Sequence, residues 1–223
     1  MNFFYKFFLL IIATFFASCT TDADDDDVFD ASKVCPETGT NAYGMPNRGT
    51  FTDERDGQTY KYTTIGKQVW MAQNLNYHVE QDDSCAYAED DCVQKGRLYF
   101  KKNIFDACPN EWHLPSHDEW EEMIDKIGGF KIAGYFLKSK EGWLGVDSET
   151  DANGTDDCGF SVLPSIVSDI KYDGYEADFW AEFVDKETGK KDLWMIVVHS
   201  DVDTIMSKRY FSDLKYSVRC VMN

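Results

Sequence analysis

Hydrophobic residues recur with helical spacing near the middle of the chain. Between Ser116 and Gly129 the apolar positions follow one another at i, i+3, i+4 and i+7, which places them on one face of a helix. These residues are Trp120, Met123, Ile124 and Ile127. Ser116 and Glu119 have the spacing of a capping box at the start of this helix. Gly128 and Gly129 supply residues that end it, so the pattern predicts a helix over 116–127.

Most of the remaining pattern predicts strands. Gln58 to Ile65 is rich in β-branched and aromatic residues, and Gly66-Lys67 fits a two-residue hairpin loop before a return strand over Gln68 to Met71. A shorter second helix is expected over Tyr99 to Ala107, before Cys108-Pro109. Further strands are expected at four places: Phe160 to Val167, Asp178 to Val184, Leu193 to His199 and Tyr216 to Met222. Short strands joined by hairpins, with helices inserted among them, predict an α+β fold with an antiparallel sheet.

The N-terminus has the pattern of an export signal. Lys6 precedes an apolar run over residues 7–17, which is too short to span a bilayer comfortably, and small residues then lead to Cys19. This end resembles the bacterial lipobox, in which the signal (residues 1–18) is removed and Cys19 receives lipid. By the same resemblance, Thr20 after the cysteine favours the outer membrane. The protein is therefore expected to be a lipid-anchored outer-membrane protein that contacts the membrane through its N-terminal lipid only.

A polar segment separates the lipid from the folded domain. Residues 19–47 are interpreted as an acidic linker and loosely ordered arm, and residues 48–223 as the domain. The tract from Asp22 to Asp27 has two readings that the sequence leaves open. It resembles the export tags of surface-displayed lipoproteins, and it is equally consistent with a charged spacer that keeps itself extended.

Composition excludes some classes of partner. The formal net charge is −18, with 40 acidic and 22 basic residues. Binding to nucleic acid requires clustered lysine and arginine, so nucleic acid is not an expected partner. The same charge disfavours adhesion to anionic lipid, whereas 43% hydrophobic residues suffice for a packed core.

Seven cysteines fit an exported protein. Cys19 is assigned to lipid, which leaves six, an even number expected to form three disulfides in an oxidising compartment. The sequence allows fifteen connectivities. Cys85 and Cys92 flank a short loop and are the natural local pair, and a Cys108–Cys220 bond would tie the ends of the fold together. Cys35 and Cys158 then remain by elimination.

Several motifs together resemble one family. They are RDGQTYKYTTIGKQVWMAQNLNY at 55–77, GRLY at 96–99, ACPNEWHLPSHDEW at 107–120, LKSKEGW at 137–143, GFSVLPS at 159–165, FWAE at 179–182 and SVRC at 217–220. In this order they resemble the Fibrobacter succinogenes major paralogous domain of exported bacterial proteins. The family looks distantly similar to C-type lectin-like domains and to the formylglycine-generating enzyme family. The resemblance implies two helices against a small, mostly antiparallel twisted sheet with long loops, and a Cys108–Cys220 bond like the long disulfide of lectin-like domains.

The sequence lacks the residues of the usual catalytic and metal-binding motifs. No P-loop, Gly-x-Ser-x-Gly or dinucleotide fingerprint occurs, so neither catalysis nor a cofactor is expected. Asp151 and Asn153 stand at EF-hand-like positions 3 and 5, but position 12 falls on Phe160, where calcium requires a glutamate. They are weak candidate ligands, and no metal site is predicted.

Binding is the favoured function. The chain has six tryptophans and twelve tyrosines, and exposed aromatic faces can stack on sugar rings. Trp143, Tyr172 and Tyr175 lie in loop-like contexts and are the candidate ligand-binding residues. One hypothesis is a surface lipoprotein whose lectin-like domain binds polysaccharide in adhesion. The other is a non-catalytic structural or protein-interaction module of the cell envelope, in which the aromatics are buried.

Overall fold

A computed structural model describes residues 29–79, 83–85, 89–102, 104–147, 150–164, 174–209 and 214–223. The expected signal peptide, the lipid-attachment residue Cys19, the acidic tract and Tyr172 lie outside these residues. Within them, the helices are all too short or too polar to cross a membrane.

Short helices alternate with short strands along the described chain. The helices are α1 (Ala31–Val34), α2 (Glu89–Lys95), α3 (His117–Lys126) and α4 (Ala133–Leu137), with a 3₁₀ turn at Ile104–Asp106. The strands are β1 (Arg48–Thr52), β2 (Thr59–Ile65), β3 (Gln68–Met71), β4 (Asp83–Ser84), β5 (Leu98–Tyr99), β6 (Trp112–His113), β7 (Glu176–Val184), β8 (Lys191–His199), β9 (Ile205–Arg209) and β10 (Val221–Met222).

All strand pairs among these elements are antiparallel. The largest sheet has the order β1-β2-β3-β10-β6, a second has the order β7-β8-β9, and β4 pairs with β5. The C-terminal strand β10 therefore lies between β3 and β6, which come from the first half of the chain. Helices and antiparallel sheets in one chain confirm the predicted α+β class.

The five-stranded sheet has a hydrophobic core on each face. Ile65 and Trp70 face one core, where the Trp70 and Trp120 ring centroids lie 4.8 Å apart. Tyr62 and Val69 face the other core. Neighbouring residues of β2 and β3 thus point to opposite faces, as strand geometry requires, yet both faces are buried.

Local signals placed the central helix and the first hairpin correctly. In α3 the Ser116 hydroxyl accepts from the Glu119 N–H, and the Glu119 carboxylate accepts from the Ser116 N–H. Ile65 pairs with Gln68 across Gly66-Lys67, and Gly66 has a positive φ of 60°.

Other predicted elements were wrong or too long. The stretch from Tyr99 to Ala107 is not a helix, because Tyr99 lies in β5 and only the 3₁₀ turn follows. From Phe160 to Pro164 the chain forms one isolated bridge at Val162 rather than a strand. In the C-terminal stretch only Val221–Met222 is a strand, and β9 was not predicted at all.

The arm before the main sheet is packed against the rest of the fold from Phe29 onward. The Phe29 ring lies 4.5 Å from that of Phe136, and the Val34 carbonyl accepts a 2.7 Å hydrogen bond from Gly66 N–H. α1 is capped by Asp30, whose carboxylate accepts from the Ser32 N–H. The described part of the arm therefore belongs to the folded body, although a loosely ordered segment was predicted.

Three disulfides join the chain in the three expected pairs. Cys85–Cys92 closes a local loop with a sequence separation of 7. Cys35–Cys158 fastens the arm with a separation of 123, and Cys108–Cys220 fastens the C-terminus with a separation of 112. The long bonds constrain the unfolded chain most, because they close the largest loops.

One buried carboxyl is poorly accommodated. Asp178 of β7 is 2% exposed, and its Oδ1 finds no hydrogen-bond partner. Burial, reinforced by the nearby Glu176, raises the pKa of Asp178 well above its usual range, while Lys208 opposes the shift. The folded protein therefore favours the protonated form of Asp178.

We expect the long disulfide to stabilise the protein more than the local one. Replacing Cys108 and Cys220 together by alanine should lower the free energy of unfolding by roughly 2 kcal/mol more than replacing Cys85 and Cys92, because of the larger loop. The comparison is matched, since each pair has one buried and one partly exposed cysteine. Urea unfolding of both double variants measures the difference, and equal losses would contradict the argument.

Asp178→Asn should stabilise the protein at neutral pH. The pKa of Asp178 is higher in the folded than in the unfolded state, so wild-type stability is greatest below the unfolded-state pKa near 3.8 and falls as the pH rises through the folded-state pKa. Asparagine does not ionise, so the stability of the variant relative to wild type should increase from about pH 4 upward and then level off. Thermal unfolding of both proteins from pH 4 to pH 8 tests this, and a stability difference that does not change with pH would refute it.

Candidate functional site

The aromatic residue singled out in the sequence is not on the surface. Trp143 is 4% exposed, and its indole N–H donates to the Ser139 hydroxyl at 3.1 Å and to the Val162 carbonyl at 3.0 Å. The prediction of an exposed Trp143 was wrong, because the loop folds back and its ring joins the large hydrophobic core that also contains Trp70 and Trp120. Tyr175 is only partly exposed, next to β7.

The weak calcium candidates are engaged within their own loop. Asp151 Oδ1 accepts from the N–H and the side-chain amide of Asn153, at 3.0 and 2.9 Å. Asn153 Oδ1 in turn accepts from the Trp143 N–H at 3.1 Å. These oxygens shape the loop around Trp143.

One group of metal-ligand type occurs among the described residues. Atoms of His117, Asp118 and Glu121 lie within 4.8 Å of one another at the start of α3. However, His117 Nε2 is 2.6 Å from the Ser207 hydroxyl, and its Nδ1 is 3.6 Å from the Glu121 carboxylate. The Nε2 atom is therefore already bonded to a protein hydroxyl.

A polar cleft of about 410 Å³ opens between several loops and the ends of β2 and β3. The start of β2 and the segment after β3 form one side, and α2 stands beside them. The loops at 139–141 and 156–163 form the other side, and Arg219 lies at the bottom. Amide side chains dominate one wall: Gln58, Gln73, Asn74, Asn76 and Gln94.

The buried guanidinium of Arg219 fixes the bottom of the cleft. Arg219 is 1% exposed, and its Nε donates to Asn74 Oδ1 at 2.6 Å. Its Nη atoms donate to the carbonyls of Met71, Phe160 and Ser161. The guanidinium carbon also lies 4.6 Å from the centre of the Phe160 ring. One side chain thus joins β3 and the 156–163 loop to the C-terminal segment.

Arg219 has no carboxylate among the described residues as an ion-pair partner. Burial lowers the pKa of Arg219 to about 9, and the charge of Asp156 partly offsets this effect. The side chain therefore keeps its positive charge at neutral pH. Because its charge is balanced mainly by carbonyl dipoles, the arrangement depends on all of these acceptors being in place.

Asp156 and Ser161 form a strained pair at the edge of the cleft. Both have left-handed backbones, with φ of 48° and 53°. Asp156 Oδ1 accepts from the Ser161 N–H at 2.7 Å, and Oδ2 accepts from the Ser161 hydroxyl. Burial raises the pKa of Asp156, while the Ser161 bonds and the Arg219 charge act against it. Strained conformations of this kind cluster at functional sites.

Four side chains at the mouth of the cleft keep free hydrogen-bonding groups. The side chains of Gln94, Lys140 and Glu141 are exposed and make no hydrogen bonds with other described residues. Gln73 uses its Oε1 to accept from the Lys61 N–H at 2.8 Å, which leaves its amide N–H₂ free. The Arg219 guanidinium at the bottom is hydrogen-bonded through all three of its nitrogens, whereas the mouth offers donors and acceptors to a ligand.

The sequence contained one signal for this cleft. Arg219 interrupts an apolar stretch near the C-terminus, and a charge inside such a stretch requires a specific set of acceptors. The amides that line the wall carry no such signal, because they come from separate segments that only the fold brings together.

Removing the Arg219 guanidinium should destabilise the fold. Arg219→Met leaves the Met71, Phe160 and Ser161 carbonyls and Asn74 Oδ1 without this donor. Each buried acceptor left unpaired costs about 1–3 kcal/mol, so we expect a total loss of at least about 3 kcal/mol. Arg219→Lys should lose less, since an ammonium keeps the charge and three donors. Urea unfolding measures both, and a methionine variant within about 1 kcal/mol of wild type would refute the assignment.

The chain was also compared with known proteins. Residues 63–222 match the Fibrobacter succinogenes major domain, a stretch that covers most of the described sheets and the whole of α3. No curated protein and no solved structure matches the chain significantly. The match covers well over half of the 223 residues and includes the SVRC segment that carries Arg219. The chain therefore belongs to the Fibrobacter succinogenes major domain family.

Proposed function

We propose that this protein is a lipid-anchored protein of the outer-membrane surface whose domain binds polysaccharide in the polar cleft. The observation that supports this most directly is the combination of a fixed floor with free amide, carboxylate and ammonium groups at the mouth. Binding groups that are already held in place lose little entropy when a ligand arrives.

The chemistry of the cleft suits a ligand rich in hydroxyl groups. An amide side chain offers both donors and acceptors, and a hydroxyl group needs both. The volume of about 410 Å³ lies within the usual range for ligand pockets. Tyr60 lies at the base with 3% exposure, and burial raises its pKa to about 12, so it stays neutral. The cleft thus contacts the hydroxyl edges of sugars rather than their ring faces.

The architecture supports a lectin-like domain as part of this proposal. Cys108 stands shortly before α3 and bonds to Cys220, next to the last strand β10. That is the position of the long disulfide implied by the resemblance to C-type lectin-like domains.

The N-terminal segment supports display at a membrane surface. Nine residues lie between the expected lipid-bearing Cys19 and Phe29, where the described structure begins. The ten Cα–Cα steps from Cys19 to Phe29 span at most roughly 33–36 Å, enough to hold the domain clear of the lipid headgroups.

We propose binding without catalysis. The six cysteines that follow Cys19 are all paired in disulfides, so none offers a reactive thiol as they stand. In the described part of the cleft, the carboxylate of Asp156 is committed to Ser161 and Glu141 lies exposed at the mouth. Neither has a partner that marks it as an acid–base catalyst.

A pull-down on polysaccharides tests the proposal. The mature chain with Cys19→Ser and intact disulfides is incubated with cellulose, xylan, pectin and peptidoglycan, with and without EDTA. We expect retention on at least one polymer that does not require a divalent metal. Retention on none of them would contradict the proposal and favour an envelope module that binds protein.

The double variant Gln94→Ala with Glu141→Ala should weaken that binding about tenfold or more, because two hydrogen bonds are each worth about 0.5–1.5 kcal/mol. Both residues are exposed, so the fold should be unaffected. Glu122→Ala on the exposed side of α3 is the matched control and should bind like wild type. If the double variant binds the polysaccharide with unchanged affinity, the ligand does not bind in the cleft.

A further inference from the structure

The charges that line the cleft are opposite in sign to the charge of the protein as a whole. Among the described residues that line it, Lys61, Lys140 and Arg219 are basic and Asp156 and Glu141 are acidic, so their formal charge is +1. The whole chain has a formal charge of −18. A locally positive cleft in an acidic protein favours an anionic ligand, which the rest of the surface repels.

Two of these five charges are already engaged by the protein. The Arg219 guanidinium donates to Asn74 and to backbone carbonyls at the bottom of the cleft. Asp156 accepts from the N–H and the hydroxyl of Ser161. Arg219 therefore contributes positive potential from below, while Lys61, Lys140 and Glu141 remain available to a ligand.

The two lysines lie on opposite walls of the cleft. Lys61 belongs to β2, and Lys140 belongs to the loop at 139–141. Both side chains are exposed, and neither forms an ion pair with another described residue. A ligand that enters the cleft therefore passes between two ammonium groups that no protein carboxylate neutralises by direct contact.

The backbone that carries each lysine is held in place. The Lys61 N–H donates to Gln73 Oε1 at 2.8 Å, which joins β2 to the segment after β3. The Ser139 hydroxyl donates to the Glu141 carbonyl at 2.7 Å and so closes the loop across Lys140. The two ammonium groups are therefore attached at defined positions, and their placement costs little entropy when a ligand binds.

The free hydrogen-bonding groups at the mouth are mostly donors. Each lysine offers three N–H donors, and Gln73 keeps only its amide N–H₂, because its Oε1 is used by Lys61. Gln94 offers a donor and an acceptor group, and Glu141 accepts. A carboxylate on the ligand only accepts, so it matches the excess of donors, whereas hydroxyls of the ligand can donate to Glu141 and Gln94.

We propose that the cleft is specific for polysaccharides that contain uronic acid residues, whose carboxylates bind Lys61 and Lys140 while neighbouring hydroxyls bond to Gln94 and Glu141. A uronic acid is a pyranose whose C6 is a carboxylate, so one ring supplies both kinds of group. Hydrogen bonds between charged groups are stronger than those between neutral groups, so the carboxylates decide the specificity. The inference rests on the proposed function, because it names the class of sugar bound at the same site.

Matched pairs of oligosaccharides test this specificity. The mature Cys19→Ser chain is titrated calorimetrically with hexagalacturonate and with its carboxyl-reduced form, in which each –COO⁻ becomes –CH₂OH on the same backbone. A second pair, made from alginate oligomers, presents other ring stereochemistry. EDTA is present throughout, so that no divalent cation bridges an acidic protein and an acidic sugar. At least one uronate should bind about tenfold more tightly than its reduced form, and binding of neither uronate overturns the proposal.

Variants then test the two lysines. Lys61→Gln with Lys140→Gln should weaken uronate binding about fivefold or more and leave the binding of the reduced form unchanged, because only the charged contacts are lost. Lys67→Gln with Lys131→Gln is the matched control, since it removes the same charge at exposed positions outside the cleft, and it should bind like wild type. Thermal unfolding verifies that both variants are folded. A folded Lys61→Gln, Lys140→Gln protein with wild-type affinity for the uronate overturns the proposal.

The same measurements separate this inference from the proposed function. If the reduced oligosaccharides bind as tightly as the uronates, and Gln94→Ala with Glu141→Ala weakens both, the cleft binds polysaccharide without a preference for acidic sugars and only the inference fails. If the control variant weakens uronate binding as much as the cleft variant, the effect comes from total charge and the inference again fails. If no oligosaccharide binds and no polymer is retained in the pull-down, the proposed function fails with it.

Discussion

The buried guanidinium of Arg219 is the interaction on which the rest of the structure depends. It is an unpaired charge in the interior, and it is tolerated because Asn74 and three backbone carbonyls accept its hydrogen bonds. These acceptors come from β3, from the segment after it and from the 156–163 loop. The loop cannot move without breaking bonds to a buried charge, so its conformation is fixed.

Two further constraints act on the same segment of chain. Cys220 follows Arg219 and is bonded to Cys108, and Val221 pairs with both Trp70 and His113 in the main sheet. The C-terminus is thus held by a covalent bond, by sheet hydrogen bonds and by a buried charge within three consecutive residues. Pairing strands that are distant in sequence closes a long loop of chain and costs conformational entropy. The three contacts at residues 219–221 offset this cost.

The bonds of Arg219 divide the cleft into two parts. The Arg219 guanidinium at the bottom is hydrogen-bonded through all three of its nitrogens, while the side chains of Gln94, Lys140 and Glu141 at the mouth make no hydrogen bonds with other described residues. Under the proposed function, ligand groups would meet a preformed surface in the cleft, which reduces the entropy lost on binding.

The sequence by itself determined the features that arise from local chemistry. The Ser116–Glu119 capping box, the helical phase of Trp120 and the Gly66-Lys67 hairpin depend on residues a few positions apart, and all are present. The family motifs and cysteine spacings gave the family and the three disulfide pairs. The α+β class followed from the same local patterns.

Only the tertiary structure decided which side chains meet and which remain exposed. Trp143 looked like a loop residue but is buried, because Ser139, Val162 and Asn153 converge on it. Trp194 lies in a strand and remains partly exposed, although it packs against the core and the His117 ring. The cleft joins segments that lie up to about 160 positions apart along the chain, from Gln58 to Arg219. Exposure depends on what packs above a residue, and no local pattern of the sequence contains that information.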